Sequence, residues 1–286
     1  MSGSSILVRR IPFAFDEAID PAWHPHRREW SHMVNGASLA MPYLEPFLIR
    51  TVTEALKLVR DPDLKADVQA FIGQEGVHFQ NHRRYNEILK LSYPELAEVE
   101  DALEADYRRF QHRSLRWRLA YTAGFETMTM GITEWLIQQR WMLFGHADRS
   151  VSSLVLWHMV EETEHKNVAF DLYQAVCGDY WPRVWGTLFG AWHVAMSSRK
   201  GYRRMLERDG LWRNWRSRLR VYAMVGRFAW HASPAIFRSL LPTYHPAGVK
   251  DPDWVMRWAD AYSGLKQGDI PLLDTSDPEI PARFAA

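Results

Sequence analysis

Glu75 and His78 sit three residues apart in Phe71-Ile-Gly-Gln-Glu-Gly-Val-His-Phe-Gln-Asn-His82. Glu162 and His165 have the same spacing in Trp157-His158-Met-Val-Glu-Glu-Thr-Glu-His165. Positions i and i+3 share one helix face, so each pair can present a carboxylate and an imidazole to one cation. Two such pairs, with one glutamate from each of two neighbouring helices, make a carboxylate-bridged two-metal site in a four-helix bundle. A single Glu-x-x-His is common on solvated helix faces. Two of them, each on a long helix preceded by a helical partner, are a far rarer coincidence.

The partner carboxylates follow from hairpin geometry, because residues equidistant from a turn lie at the same height. Glu45 and Glu75 are centred on residue 60, beside the predicted turn Asp61-Pro62, and Glu126 and Glu162 on residue 144, beside Gly145. Glu54 falls short of Glu75. Glu134 pairs about the second turn nearly as well as Glu126 and stands as a rival ligand or a group behind the ligands. His158 lies one turn before Glu162, on the face of Glu162 and His165, and is expected to ligate directly. His82, one turn after His78, is a further ligand or a hydrogen-bonded neighbour. Glu161 and Glu164 fall off this face and are read as solvated or as groups behind the site. Gly73, Gly76, Gly124 and Gly131 are poor helix formers beside these residues, which points to close helix packing or to room for dioxygen.

The elements that must carry these groups read as helices throughout, with no sustained strand alternation. Helical pattern runs over about 43–60, 63–91, 95–112, 115–144 and 150–176, then in shorter pieces over 182–208, 212–230 and 234–241. Pro42 and Pro46 are expected in the first turn of their helix. The part after Pro242, rich in Pro, Asp and Gly, reads as irregular. The fold class is all-α, a ferritin-like four-helix bundle core with additional C-terminal helices. The dimetal bundle is placed in residues 1–180, and a Trp/Arg-rich extension with an irregular tail in 181–286.

Composition narrows the chemistry. The chain has 286 residues, 47% hydrophobic and 24% charged, which excludes wholesale disorder. One cysteine, Cys177, excludes thiolate metal clusters and fits a reducing compartment, while twelve histidines leave ample nitrogen donors. The net charge of +1 is unevenly spread: residues 1–180 carry −6, residues 181–240 carry +10 and residues 241–286 carry −3. No signal peptide is read at Met1-Ser-Gly-Ser-Ser; the run 183–199 is too short to span a bilayer, and Val221–Leu241, though long enough, is interrupted by Arg227 and Arg238 and kinked by Pro234, so the expected location is cytoplasmic. Trp181, Trp185, Trp192 and Phe189 are expected to cover the bundle. The Arg-rich run reads as a solvated face, with peripheral membrane contact as the lesser alternative and nucleic acid excluded for want of a binding motif.

Met41-Pro-Tyr-Leu-Glu45-Pro-Phe, Phe71…His82-Arg-Arg-Tyr-Asn86 and Trp157-His158…His165-Lys-Asn-Val-Ala-Phe-Asp171 resemble a bacterial family labelled "predicted metal-dependent hydrolase", over roughly residues 5–250. At the level of the site, the chain is also similar to ferritin-like di-iron oxygenases. The histidine before the second Glu-x-x-His, His158, matches the aminobenzoate N-oxygenase group. Pro46 beside the first carboxylate and the Trp/Arg-rich C-terminal part have no counterpart there.

The expected metal set is therefore Glu45, Glu75, His78, Glu126, His158, Glu162 and His165, around two iron ions, with manganese or zinc as alternatives. The leading functional expectation is an oxygen-activating oxidoreductase using dioxygen, a small organic substrate and an electron donor. Metal-assisted hydrolysis is the alternative, and a non-catalytic metal-binding helical protein the third reading.

Overall fold

The computed structural model describes residues 6–11, 13–266 and 268–280. The opening Met1–Ser5 and residues 281–286 of the tail lie outside the described residues. Among the described residues there are helices and connecting loops and no strand, so the protein is an all-α helical bundle.

Two hairpins position the glutamates and histidines singled out above. The first joins α2 (Met41–Leu56) to α3 (Pro62–Ser92); the second joins α5 (Leu115–Gln138) to α7 (Arg149–Glu164) through the short α6 (Arg140–Phe144). Asp61 caps α3, its side chain accepting from the backbone N–H groups of Asp63 and Leu64, with Pro62 at the first helical position. Ser114 and Asp148 cap α5 and α7 in the same way. α4 (Leu96–Gln111) leans on α2, and α8 (Val168–Val176) continues the line of α7 against α3 and α5.

The structure departs from the periodicity at six places. α1 (Arg28–Ser38) precedes the first predicted helix, and its buried side chains are mostly polar: Glu29, Ser31, His32, Asn35 and Ser38. A hydrophobic pattern cannot announce such a face. Pro46 lies inside α2, beyond the first turn, and Arg83 donates to the Pro42 carbonyl that a proline at this position leaves without its helical donor. The expected helix over 115–144 breaks at Gln139, and that over 150–176 breaks after Glu164. Pro234 does not end its helix: α10 runs unbroken over Trp215–Ser239, and Ser233 donates to the Trp230 carbonyl. Beyond Pro242, α11 (Asp253–Tyr262) forms with Trp254, Val255, Trp258 and Tyr262 buried.

α9 (Tyr180–Arg208) packs on α5 and α1 through glycines. A Cβ added at Gly186 would come 2.0 Å from the Ala120 carbonyl oxygen, and one at Gly124 would come 2.3 Å from the Thr187 nitrogen. This contact presses α9 against the stretch of α5 that carries Glu126. Gly124, Gly73 (against Val8) and Gly131 (against Ala235) are thus packing positions. Beside Gly76 there is open space.

Candidate metal centre

Glu45 of α2, Glu75 and His78 of α3, Glu126 of α5, His158 and Glu162 of α7, and His165 at its C-cap converge on one buried point; none is more than 5% exposed. Ligand atoms of Glu75, His78, Glu162 and His165 lie within 4.8 Å of one another, and so do those of Glu45, His78 and His158. The His165 Nε2 is 3.1 Å from Glu75 and 3.9 Å from Glu162, and its Nδ1 is 3.4 Å from Glu126. Of the eight carboxylate oxygens here, only the Glu162 Oε1 has a nitrogen within hydrogen-bond distance, the His158 Nε2 at 2.9 Å; both oxygens of Glu45, Glu75 and Glu126 and the Glu162 Oε2 have no partner. The His78 Nδ1 and both His165 nitrogens are likewise unpartnered. Buried acceptors without donors are costly, so this donor set fits cations better than it fits an apolar core.

The charges point the same way. Burial, and then the carboxylates of Glu75, Glu162 and Glu126, hold the Glu45 carboxyl well above the usual carboxylate range. Burial and Glu162 do the same to Glu126. Burial also pushes Glu162 up, but His165 and His158 outweigh it and hold that carboxyl low. For His165, burial opposes the charged form, yet Glu162, Glu126 and Glu75 prevail and raise it well above the usual imidazole value. Several carboxylates crowded into one dry volume repel each other until positive charge joins them.

Hydrogen bonds behind the cluster set which nitrogens face it. The Asn86 Nδ2 donates to the Ser38 carbonyl at 3.0 Å, and the Ser38 hydroxyl donates to the Asn86 Oδ1 at 2.7 Å. Ser38 therefore accepts from the His82 Nδ1, 2.8 Å away, leaving the His82 Nε2 to accept from the His158 Nδ1 at 2.8 Å. By this logic the His158 Nε2 carries a lone pair, and it points at Glu162 (2.9 Å) and Glu45 (3.8 Å). Two lone-pair atoms that close repel each other. A cation shared by the two would turn that repulsion into attraction. On the other side the His78 Nε2 is occupied by Glu161 at 2.9 Å, so its Nδ1 turns to the cluster, 3.8 Å from Glu75.

Three open readings narrow. Glu134 is exposed and outside the cluster; two turns along α5 from Glu126, its carboxylate takes a hydrogen bond from Gln138. His82 stands behind His158 and does not face the carboxylates. Glu161 is fully buried, held between His78 and Arg9, and so is not solvated. Arg9 is a partner that the sequence does not announce. It is buried, bonds Glu161 at 3.2 Å and Glu164 at 2.6 Å, and lies 5.4 Å from the ring centre of Trp258. Nothing local to residue 9 signals a partner more than 150 positions away.

A cavity of about 170 Å³ lies between α5 and α10, lined among others by Thr127, Met130, Glu134, His231, Arg238 and Tyr244. Met130 is one turn from Glu126, on the same face of α5, so the cavity reaches the turn next to the cluster. One wall, Val249, is anchored by Lys166, the residue after His165, which donates to the Val249 carbonyl at 2.7 Å.

Fold and site together define an all-helical protein with a buried Glu/His cluster able to hold metal. Residues 7–249 match the family described as "Predicted metal-dependent hydrolase", and the chain belongs to that family. No curated protein and no solved structure matches the chain.

Proposed function

We propose that the chain is a two-metal enzyme that hydrolyses a small organic substrate. Glu45, Glu75, His78, Glu126, His158, Glu162 and His165 would hold the ions. The single observation behind this reading is the set of unpartnered, buried carboxylate oxygens grouped around three imidazoles. The family description supports hydrolysis. When bound, a metal pair supplies an acidified water and a polarised substrate oxygen, which is what hydrolysis at neutral pH requires.

The chain's own residues supply the rest. Ser38, Asn86 and His82 hold His158 in one tautomer, and Arg9 and Glu161 fix the ring of His78. Phe71 and Trp157 press their rings on His165 and His78 and keep water from the far side. The cavity behind Met130 has room for a small molecule, with Arg238 and Tyr244 available for its polar groups.

A second reading, oxygen activation by iron in the same site on the pattern of ferritin-like di-iron oxygenases, is favoured by one observation. The cluster is closed and rich in nitrogen, with His158 as a third imidazole, which suits a small gaseous reactant. One experiment separates the two readings. The protein is loaded with ferrous iron, manganese or zinc and metal content is measured; a panel of activated esters is then assayed without oxygen. Metal-dependent cleavage supports the hydrolase. Oxygen uptake and transient visible absorption by the ferrous protein, with no cleavage, support the second reading. A protein that takes up no metal refutes both.

A further inference from the structure

We propose that the outer face of α9 and α10 docks on the surface of an anionic lipid bilayer. The two helices form an antiparallel pair. Arg183 and Tyr180 at the start of α9 donate to the Ser239, Leu240 and Leu241 carbonyls at the end of α10. At the other end a short turn, Leu211–Arg213, joins them, and Arg203 lies over Trp212. Each helix buries one face in the protein: Gly186, Gly190, Val194 and Gly201 for α9, and Ser217, Val221, Met224 and Ala232 for α10.

Each also carries a second apolar stripe on the opposite side, spaced at helical intervals and left in solvent. On α9 it is Trp181, Trp185, Leu188, Trp192 and Met196; on α10 it is Trp215, Leu219, Tyr222, Trp230 and Phe237. Trp181 is 74% exposed and Trp230 79%. The expected packing of these tryptophans over the bundle does not occur; of the aromatic group at the start of α9, Phe189 is the ring packed against the core. A soluble monomer seldom leaves so continuous an apolar surface uncovered.

Charge selects the occupant. Residues 181–240 carry twelve Lys and Arg against two acids. Arg203, Arg204, Arg208 and Arg220 are paired with carboxylates. Arg199, Lys200, Arg213, Arg216, Arg218, Arg227 and Arg238 make no ion pair among the described residues. Of the unpaired ones, Arg199 extends the α9 stripe directly, and Arg216 follows Trp215. Two copies meeting through this face would bring like charges together. Tryptophan rings beside free arginines match the interface of an anionic leaflet, where rings sit among headgroups and cations meet phosphates. No helix among the described residues is long and apolar enough to cross the membrane, so contact would be along the surface.

The test is co-sedimentation of the full chain with phosphatidylcholine vesicles, with and without phosphatidylglycerol, together with sedimentation equilibrium in the absence of lipid. The expected result is binding that needs the anionic lipid, weakens with salt and blue-shifts tryptophan emission. W185S/W230S, and separately R199Q/R216Q, should each weaken binding at least about tenfold. Trp185, Arg216 and Trp230 are exposed and Arg199 is half-buried on the outer side of α9; unchanged circular dichroism and metal content confirm the fold. Absence of binding to anionic vesicles at low salt overturns the proposal, as does binding that both double variants leave intact. A self-association that W185S/W230S abolishes, with no vesicle binding, assigns the face to a second copy and also overturns it.

Discussion

The Nε2 of His82 lies 2.8 Å from the Nδ1 of His158, and that contact decides which nitrogen of His158 is free to face the carboxylates. His82 is held in turn by Ser38, so residues from α1 and α3 orient a side chain of α7. The arrangement separates two jobs that the sequence leaves merged: one imidazole offered to a cation, and another that aims it.

Replacing His82 with alanine is expected to leave the helical content intact and to weaken metal binding roughly 10–100-fold, the usual cost of losing a group that orients a ligand. His82→Gln, whose amide can still accept from His158 and donate to Ser38, should recover part of the loss. Competition titration with a chromophoric chelator measures both. Equal affinity in wild type and His82→Ala would remove the relay from the account.

Metal uptake should release protons and weaken as pH falls. The carboxyls of Glu45 and Glu126 are held well above their usual range and His165 well above the usual imidazole value, so in the absence of metal these groups retain protons that a cation must displace. His78 and His82 are pushed well below the usual value, by burial and then by His158, and have no proton to give up. The contributions that remain share one sign. Calorimetry in two buffers of different ionisation enthalpy counts the released protons, and an affinity independent of pH between 5 and 8 would contradict the charge pattern.

Gly186→Val should destabilise the protein and disturb the site at a distance. Even a Cβ at this position meets the Ala120 carbonyl oxygen, and backbone cannot yield as a flexible side chain would. Overpacking of this kind costs about 1–3 kcal/mol, which for a chain of this size lowers Tm by several degrees. Because α9 presses on the turn of α5 that carries Glu126, metal content should fall as well. Thermal melts with and without metal check both effects.

Met130→Trp should fill the cavity between α5 and α10 next to Glu126. KM for whichever substrate is found should rise several-fold while metal content stays constant. Met130→Ala, which enlarges the cavity, should admit bulkier substrates. Identical kinetics in all three proteins would place the substrate elsewhere.

The paired Glu-x-x-His motifs, their partner glutamates and His158 were legible because helical spacing and hairpin height are local quantities. Glu134 nearly passed the same height test and failed because two turns of α5 lift it about 12 Å from the level of Glu126, a difference that a small error in placing the turn conceals. α1 was invisible, since it buries Glu29, His32 and Asn35 in place of an apolar stripe. No glycine or proline marks the break that puts His165 at the C-cap of α7; the visible tie beside it is Lys166, bound to Val249 and Asp251 more than eighty residues later. The exposed tryptophans of α9 mislead for the converse reason: the helix has two apolar faces, and composition does not tell which one the bundle takes.

Arg9 ties the N-terminal segment to the end of α7 while lying beside Trp258 of α11, so remote stretches of chain meet over His78. That makes the N-terminal segment a stopper. Its release would expose Glu161 and the ring of His78 to water without unfolding a helix of either hairpin. Trimming or tagging the chain ahead of Ile11 should then shorten the residence time of bound ions more than it lowers the melting temperature. A preparation that loses metal on dialysis would point to an unseated terminus before it pointed to a weak site.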